Sequence, residues 1–357
     1  MAGETTRLEL AKLTRLTAPA ITGITNRLLE KGYVTDAGRR TGVRGMPAFR
    51  FAINPDGCYG IGVNVDRDHL SVVSLDLAGK VRTRASCETR FASPQVVLDY
   101  VRKQIDAIVS SGTIDPERIL GLGVALPGGL GSVDLLHRPP EYRVWDEIDI
   151  AAHFGMLGPW PVLVENDAAA AAMGEAQFGR GLVHRSFFYI LISAGLGGGL
   201  VVAGKYFAGA TGRAGRIGFL HDRDNQMLQN LVSISGLNAA LERAGHTPPP
   251  PSALEASEPS VLETVGRWIE QSADTLCGPI GSINRLVDPG AILIGGRLPR
   301  PFIDRLALAV TARVAPDASP LVPVAPVLTA ELAADAPAVG AAILPFNAFV
   351  LPVETIG

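Results

Sequence analysis

The residues best suited to chemistry lie in two stretches near the middle of the chain. Glu165, Asn166 and Asp167 follow a short apolar run, and a helix of small residues is expected directly after them. An Asp at the end of a buried strand can take a proton from a hydroxyl held in a cleft. Residues 193–200 read Ser-Ala-Gly-Leu-Gly-Gly-Gly-Leu, and the N–H groups of such a glycine loop can approach a phosphate. Together the two stretches suggest a sugar kinase or a protein built from one.

Composition and length narrow the class of protein. The chain has 357 residues, 47% of them hydrophobic, and 40 glycines, which predicts a globular protein of two or three domains. It has no uncharged apolar run long enough to span a bilayer, and its N-terminus lacks the pattern of a signal peptide, so we expect a cytoplasmic protein without a membrane partner. Cys58, Cys87 and Cys277 are scattered, which indicates neither a disulfide framework nor a Cys-rich zinc site.

Charge is distributed unevenly along the chain. Residues 1–50 carry nine basic and four acidic side chains, a net charge of +5, whereas the whole chain carries −3. Residues 51–357 therefore carry −8. A basic segment on an acidic body indicates a module that binds a polyanion.

The first fifty residues have the pattern of a winged helix-turn-helix. Apolar positions from Leu8 to Leu13 predict a short helix, and Thr17 with Pro19 predicts the start of a second one. Strands are predicted at 33–35 and 48–53, joined by a Gly/Arg-rich loop that would form the wing. A winged helix normally has a further helix before this pair, so the first helix is expected to be missing. The predicted DNA-binding residues are Ala20, Thr22, Thr25, Asn26 and Arg27 on the helix and Arg39, Arg40 and Arg44 on the wing. The plainer interpretation is a helix pair with a solvated basic loop.

The rest of the chain has the element order of a two-lobed body. Three strands, a helix and two further strands precede Asp167, and a hairpin, two long helices and a strand follow it. This order is typical of an α/β actin-like ATPase (ribonuclease H-like) fold with a cleft between two lobes. The predicted organisation is therefore multi-domain: 1–53, the DNA-binding domain; 54–175 plus 345–357, the first lobe; and 176–344, the second lobe.

Several ordered motifs resemble the ROK family of repressors, open reading frames and sugar kinases. Residues 165–168 are similar to the family's sugar-binding and catalytic segment, and 193–199 to its second phosphate loop. Residues 209–218 resemble the signature that follows, and 284–289 with 292–296 resemble the segment on the nucleoside side. The resemblance covers nearly the whole chain. It implies the two-lobed fold, a sugar-binding cleft and, with the N-terminal winged helix, the repressor branch.

One departure from the family pattern argues against kinase activity. The family's first phosphate loop, Asp-x-Gly-Gly-Thr, is replaced by Asn-Val-Asp-Arg-Asp at residues 64–68. The Asp that would organise magnesium is an amide, both glycines are gone, and Asp66 and Asp68 would repel a triphosphate. Two like charges ~4 Å apart cost roughly 1–4 kcal/mol. We therefore expect no phosphoryl transfer, and prefer tight packing in a hairpin as the reason for the second glycine loop.

A second departure changes the sugar side. The family's Glu-x-Gly-His is Arg216-Ile-Gly-Phe219 here, and the cysteines of its zinc cluster are missing from residues 221–236. We predict no metal and no cofactor. Because Arg is a bidentate donor for a carboxylate or phosphate, we expect a sugar-like effector with an acidic group. The alternative is that Arg216 pairs with Glu165 or Asp222 in a vestigial cleft. The predicted effector-binding residues are Gly128, Glu141, Asn166, Asp167, Gly195 and Arg216.

The favoured hypothesis is a DNA-binding transcriptional regulator, a repressor of carbohydrate metabolism. Its partners would be a double-stranded DNA operator and a small sugar-like effector, and it would form a homodimer or a dimer of dimers. Asp167 would then keep the position of a general base without catalysing a reaction. Two alternatives remain: an active ATP-dependent sugar kinase with Asp167 as its base, and a sugar-binding protein that has lost DNA binding.

Overall fold

The computed structural model describes residues 3–39, 49–132, 138–317 and 323–351. The chain begins with a small module of two helices and a three-stranded antiparallel sheet, ordered β1-β3-β2. A capping box between Thr6 and Glu9 starts the first helix, and Pro19 lies in the first turn of the second. The elements of this module are β1 (Thr5–Thr6), α1 (Arg7–Thr14), α2 (Ala18–Glu30), β2 (Val34–Arg39) and β3 (Phe49–Ile53).

The module is joined to the first lobe by short polar contacts. Asn54 Nδ2 donates to the carbonyl of Gly32, at the end of α2, over 2.7 Å. Arg118 Nη1 donates to the carbonyl of Asp56 over 3.1 Å. The half-buried Tyr33 packs against a hydrophobic cluster of the first lobe.

The first lobe is built on a five-stranded sheet in the order β6-β5-β4-β7-β8. The central β4 is buried along its whole length because the sheet is covered on both faces. Strands β4, β7 and β8 run parallel, so their carboxyl ends meet at one edge, beside the cleft. The elements are β4 (Tyr59–Val65), β5 (His69–Asp76), β6 (Val81–Glu88), α3 (Pro94–Ser110), β7 (Ile119–Leu126), α4 (Ile150–Gly155) and β8 (Val162–Asn166).

The second lobe has another five-stranded sheet, ordered β11-β10-β9-β12-β13. Its longest helix packs beside α8 and contributes Trp268 and Ile269 to the largest hydrophobic core. The second strand of the predicted hairpin, β10 (Leu196–Val202), begins inside the glycine run, so residues 197–199 lie within this strand. The elements are β9 (Phe187–Ile192), β10 (Leu196–Val202), β11 (Lys205–Tyr206), α6 (Ile234–Arg243), α7 (Pro259–Val287), β12 (Ala291–Gly296), α8 (Arg300–Val314) and β13 (Val327–Thr329).

Two small-residue helices, α5 (Asp167–Phe178) and α9 (Ala336–Phe349), pack closely between the sheets. A Cβ atom on Gly340 would overlap the backbone of α5, and one on Gly62 would overlap the backbone of α9. Helix α9 therefore packs against the first sheet and α5 together. The lobe boundary expected at residue 345 falls inside this continuous helix. Within the described ranges, no helix is long and apolar enough to cross a membrane.

Candidate functional site

A small cavity lies between the two lobes, at the carboxyl edge of the first sheet. It encloses about 50 Å³ and adjoins an outer recess of about 340 Å³. Pro127, Gly128 and Asn166 line both spaces. Five of the six predicted effector residues line the inner cavity: Gly128, Asn166, Asp167, Gly195 and Arg216.

Asp167 lies at the first turn of α5 and is buried. Its Oδ1 accepts hydrogen bonds from the Ala168 N–H over 2.8 Å and from Asn166 Nδ2 over 3.0 Å. Asn166 also caps the helix through its own Oδ1, so both side chains have defined positions. Burial and the nearby Asp66 carboxylate raise the pKa of Asp167 to about 7. Near neutral pH the group can accept a proton from a ligand hydroxyl or donate one to it.

Arg67 also lines the cavity, although it was not among the predicted effector-binding residues. It follows β4, is 4% exposed, and extends across the cleft toward the second lobe. Its Nη1 lies 3.3 Å from the point where a Cβ atom on Gly195 would be. The Nε atom has no hydrogen-bond partner among the described residues. One signal in the sequence could have identified it: Arg67 stands at the position of the second glycine in the family's first phosphate loop.

Arg216 crosses the cleft in the opposite direction. Its guanidinium group lies against Gly128 of the first lobe, with Nη2 2.9 Å from the position of an added Cβ. No ion pair with Glu165 or Asp222 is formed in the described structure. Glu165 accepts a hydrogen bond from the Asn166 N–H, and Asp222 accepts from the N–H groups of its own turn. The alternative in which Arg216 is neutralised by these carboxylates is therefore not observed.

Charged contacts between the lobes lie where β4 and β12 end. We call this region, with Asp66, Asp68, Glu88 and Arg297, the nucleotide side of the cleft, because it matches the phosphate loop of the family's kinases. Arg297, directly after β12, forms ion pairs with both Asp68 and Glu88 of the first lobe. Asp66 accepts a hydrogen bond from the Ala194 N–H of the second lobe over 3.3 Å. Burial and the neighbouring Asp66 raise the pKa of Asp68 to about 6. From the sequence, Asp66 and Asp68 are expected to be two carboxylates that would repel a triphosphate. In the structure both carboxylates instead have partners across the cleft.

The glycine run serves two purposes at different positions. A Cβ on Gly197 would lie 2.7 Å from the Cβ of Ala168, and one on Gly199 2.6 Å from that of Ala172. These two glycines allow α5 to pack directly on β10. Gly195 instead faces the cavity, where its nearest neighbour is the Arg67 side chain.

Glu141 is the predicted effector residue that does not line the cavity. It is exposed on the short helical turn Pro140–Asp146, because Tyr142 and Trp145 occupy the inward positions of that turn. The indole Nε1 of Trp145 donates to the Ala92 carbonyl over 3.0 Å, which holds the turn against the lobe. The expectation that Glu141 faces the cleft is therefore wrong.

The predicted DNA-binding residues on α2 divide into two groups. Ala20, Thr22, Asn26 and Arg27 are exposed, although Asn26 Oδ1 also accepts a hydrogen bond from Arg7 over 2.8 Å. Thr25 is 3% exposed, and its hydroxyl is bonded to Arg7 Nε and to the Ile21 carbonyl. Thr25 therefore faces α1, because it lies four residues after the buried Ile21 and so on the same side of the helix.

The predicted wing residues lie at or beyond the limit of the described structure. Arg39 is the last residue of β2. Arg40 and Arg44 lie outside the described residues. Among the residues that are described, no three His, Cys, Asp or Glu side chains are grouped to hold a metal ion. The expectation that the protein binds no zinc remains a prediction.

Comparisons with known proteins agree with this architecture. The ROK family model matches residues 60–347. The protein y4fQ of Sinorhizobium fredii is 30% identical over 95% of this chain and 86% of its own length. The xylose repressor of Bacillus spizizenii is 25% identical over 60% of this chain, which spans only 56% of that repressor.

Two solved structures share the fold. A ROK family transcriptional regulator described as a homologue of E. coli MLC has a TM-score of 0.69 at 20% identity, covering 96% of this chain and 91% of its own. A ROK family glucokinase from Streptomyces griseus, solved with glucose and AMPPNP, has a TM-score of 0.62 at 22% identity, covering 80% and 98%. The sequence motifs, the two-lobed architecture and the family match lead to one conclusion: the chain belongs to the ROK family.

Proposed function

We propose that this chain is a DNA-binding transcriptional repressor of carbohydrate metabolism, controlled by a sugar-like effector bound in a cleft that no longer transfers phosphate. The observation that carries the proposal is the occupied nucleotide side of the cleft. Arg67 extends toward Gly195, and Arg297 is paired with Asp68 and Glu88. A triphosphate would have to displace these side chains and separate charges that already neutralise each other.

The effector would bind on the other side of the cleft. Asn166 and Asp167 can exchange hydrogen bonds with the vicinal hydroxyls of a sugar, and the adjoining recess has space for its ring. Arg216 supports the finer proposal that the effector carries an acidic group, such as a uronate or a sugar phosphate. The similarity to a xylose repressor supports a sugar-responsive regulator without naming its ligand.

DNA would be read by α2, with Ala20, Thr22, Asn26 and Arg27 facing the major groove. Arg39, Arg40 and Arg44 would contact phosphates or a narrow minor groove. In a homodimer, two such modules could bind half-sites about one helical turn apart. The effector must bind the DNA-competent and DNA-free states with different affinities in order to switch between them. The contacts of Gly32 and Asn54 give a route from the lobe to α2.

Fluorescence anisotropy with DNA fragments from beside the protein's own gene tests the DNA-binding half of the proposal. We expect specific binding that weakens steeply with salt. Replacing a phosphate-contacting Arg should weaken binding across sequences and reduce the salt slope by about 1. Arg40→Ala, on the predicted wing, is the test variant, and Arg243→Ala, an exposed Arg of the second lobe, is the matched control. Absence of specific binding to any fragment would favour a sugar-binding protein that has lost its DNA partner.

A sugar kinase is the second candidate, and one observation favours it. Asp167 is buried beside the cavity with a pKa raised to about 7, which suits a general base. A coupled assay of nucleotide consumption over a panel of sugars separates the two functions. Turnover that requires Asp167 would overturn the repressor-only proposal, whereas we expect no sugar-dependent consumption.

A further inference from the structure

Arg67 presents a physical problem that the proposed function does not resolve. Arg67 is 4% exposed, its Nε atom is buried without a hydrogen-bond partner, and no ion pair or side-chain hydrogen bond of Arg67 is found among the described residues. A guanidinium group removed from water needs a compensating anion or acceptors, since an uncompensated buried charge is strongly unfavourable. An Arg side chain keeps its proton in proteins, so the cost cannot be relieved by loss of the charge. The side chain is therefore prepared for a partner that comes from outside the chain.

The nearby carboxylates are already engaged elsewhere. Asp66 accepts from the N–H groups of Arg67 and Ala194, one at each oxygen. Asp167 accepts from Asn166 and Ala168 through Oδ1 and forms no ion pair with Arg67 in the described structure. Asp68 is held by Arg297. None of these carboxylates forms an ion pair with the guanidinium group in the described structure, although the Arg67 charge acts to lower the pKa of Asp167.

A second guanidinium group lines the same cavity from the opposite lobe. Arg67 lies against Gly195 of the second lobe, and Arg216 lies against Gly128 of the first. Each Arg thus rests on a glycine of the other lobe, where a larger residue would push it away. Neither Arg forms a side-chain hydrogen bond within the part of the chain that the structure describes. Two unneutralised cations that converge from opposite walls form a binding site for one anionic group.

We propose that Arg67 and Arg216 together bind a single carboxylate or phosphate group of the effector, and that this anion links the two lobes. The proposal deepens the proposed function, since it uses the same cleft, and it adds Arg67 as the buried anchor. The inner cavity of about 50 Å³ suits one such group, whereas a sugar ring needs the outer recess of about 340 Å³. The ring then lies near Gly128 and Asn166, and its hydroxyls reach Asp167.

Calorimetric titration of the full chain tests this site with defined probes. The probes are inorganic phosphate, D-glucuronate, glucose 6-phosphate and, as the neutral control, glucose, all at one fixed ionic strength. We expect at least one sugar acid or sugar phosphate to bind more tightly than glucose. Preference for glucuronate identifies a carboxylate ligand, and preference for glucose 6-phosphate or phosphate identifies a phosphate ligand. Equal or tighter binding of glucose, or binding of none of the anions, overturns the proposal.

Three variants locate the anion. Arg67→Met and Arg216→Met keep much of the side-chain volume without the charge, and each should weaken binding of the preferred anion by roughly 10- to 100-fold. Arg213→Met removes an exposed Arg from the same loop, outside the cavity lining, and should leave the affinity unchanged. Anion affinity in Arg67→Met equal to that of the unmodified protein would contradict the assignment of Arg67.

Thermal unfolding gives a readout that does not depend on ligand heat. In anion-free buffer Arg67→Met should melt at or above the temperature of the unmodified protein, because a buried unpaired charge is removed. The preferred anion should raise the melting temperature of the unmodified protein and leave that of Arg67→Met unchanged. A lower melting temperature for Arg67→Met without anion, with a normal anion-induced rise, would show that Arg67 serves packing alone. DNA binding measured without ligand is independent, so failure of the anion site is distinguishable from failure of the repressor proposal.

Discussion

The two sides of the cleft differ in what surrounds their acidic residues. The sugar side keeps Asn166 and Asp167 at the start of a helix, next to open space. On the nucleotide side, Arg297 joins Asp68 and Glu88 across the lobes. Among the described residues, Asp68 and Glu88 form ion pairs with Arg297, whereas Asp167 accepts hydrogen bonds from Asn166 and Ala168 and forms no ion pair. The difference lies in how the acids are engaged: ion pairs between the lobes hold Asp68 and Glu88, whereas Asp167 lies beside open space.

Arg67 lies at the border between these two sides. It occupies a place where the related kinases have a glycine, so it fills space on the nucleotide side while its charge faces the sugar side. One substitution can therefore remove room for a triphosphate and provide an anchor for a smaller anion. Substitutions on the two sides should therefore differ in their effects on the free energy of unfolding and on ligand affinity.

The largest effect is expected at Asp167, as a pH dependence of stability. Its folded pKa is about 7 and its ordinary value is 3.8, so the folded state holds an extra proton between these values. Stability therefore falls as pH rises through this window, by at most about 4 kcal/mol. Asp167→Asn keeps the acceptor oxygen and removes the ionisation, so it should be more stable than the unmodified protein at pH 8 and similar at pH 4. Urea unfolding between pH 4 and 8 measures the difference, with the exposed Asp106→Asn as control. Parallel curves for Asp167→Asn and the unmodified protein would show that Asp167 titrates normally.

The next effect is expected on the nucleotide side. Arg297→Met leaves Asp68 and Glu88 without their cation and should lower the free energy of unfolding by roughly 3 kcal/mol. This is the lower end of the usual range because the Glu88 side chain is 42% exposed. Arg305→Met removes an Arg that is 52% exposed and pairs with Glu270, and should cost less than about 1 kcal/mol. Urea unfolding near neutral pH compares them, and equal costs would mean that the contact between the lobes is no stronger than a surface ion pair.

A smaller effect separates the two uses of the glycine run. Gly197→Ala places a Cβ 2.7 Å from that of Ala168 and should cost about 1–3 kcal/mol through overpacking. Gly195→Ala meets the ends of the Arg67 and Gln229 side chains, at 3.3 and 3.7 Å, and should change stability by less than about 1 kcal/mol while weakening anion binding. Denaturant unfolding and anion titration of both variants give the result. A costly Gly195→Ala with unchanged anion binding would assign both glycines to packing.

The smallest expected signal is that of nucleotide itself. Magnesium ATP should give no measurable heat with the unmodified protein at millimolar concentration, because its site contains the contacts of Arg297 and Arg67. Calorimetry with and without a saturating sugar probe measures this. Micromolar affinity for ATP would show that these contacts open readily and would restore the kinase as the better hypothesis.

Most of the fold followed from local patterns in the sequence. Helix α1 contains the predicted segment from Leu8 to Leu13, and α2 begins directly after Thr17 as predicted, because hydrophobic periodicity and capping residues lie within each segment. The positions of Asn166 and Asp167 at a strand end and helix start also followed, since their neighbours along the chain determine them. Family resemblance placed Gly128, Gly195 and Arg216 near the same cleft, and the structure brings them together.

The sequence by itself therefore determined the element order, the family and the acid at the start of α5. Only the tertiary structure decided that Thr25 faces inward, that Glu141 faces away from the cavity, and that Arg297 neutralises Asp68, which is 229 residues away. It also decided that Arg67 is buried, with its Nε atom unpaired among the residues that the structure describes. The physical reason is that the state of a charge depends on every group within a few ångströms of it. Those groups come from segments far apart in the chain, and no local pattern records which of them will meet.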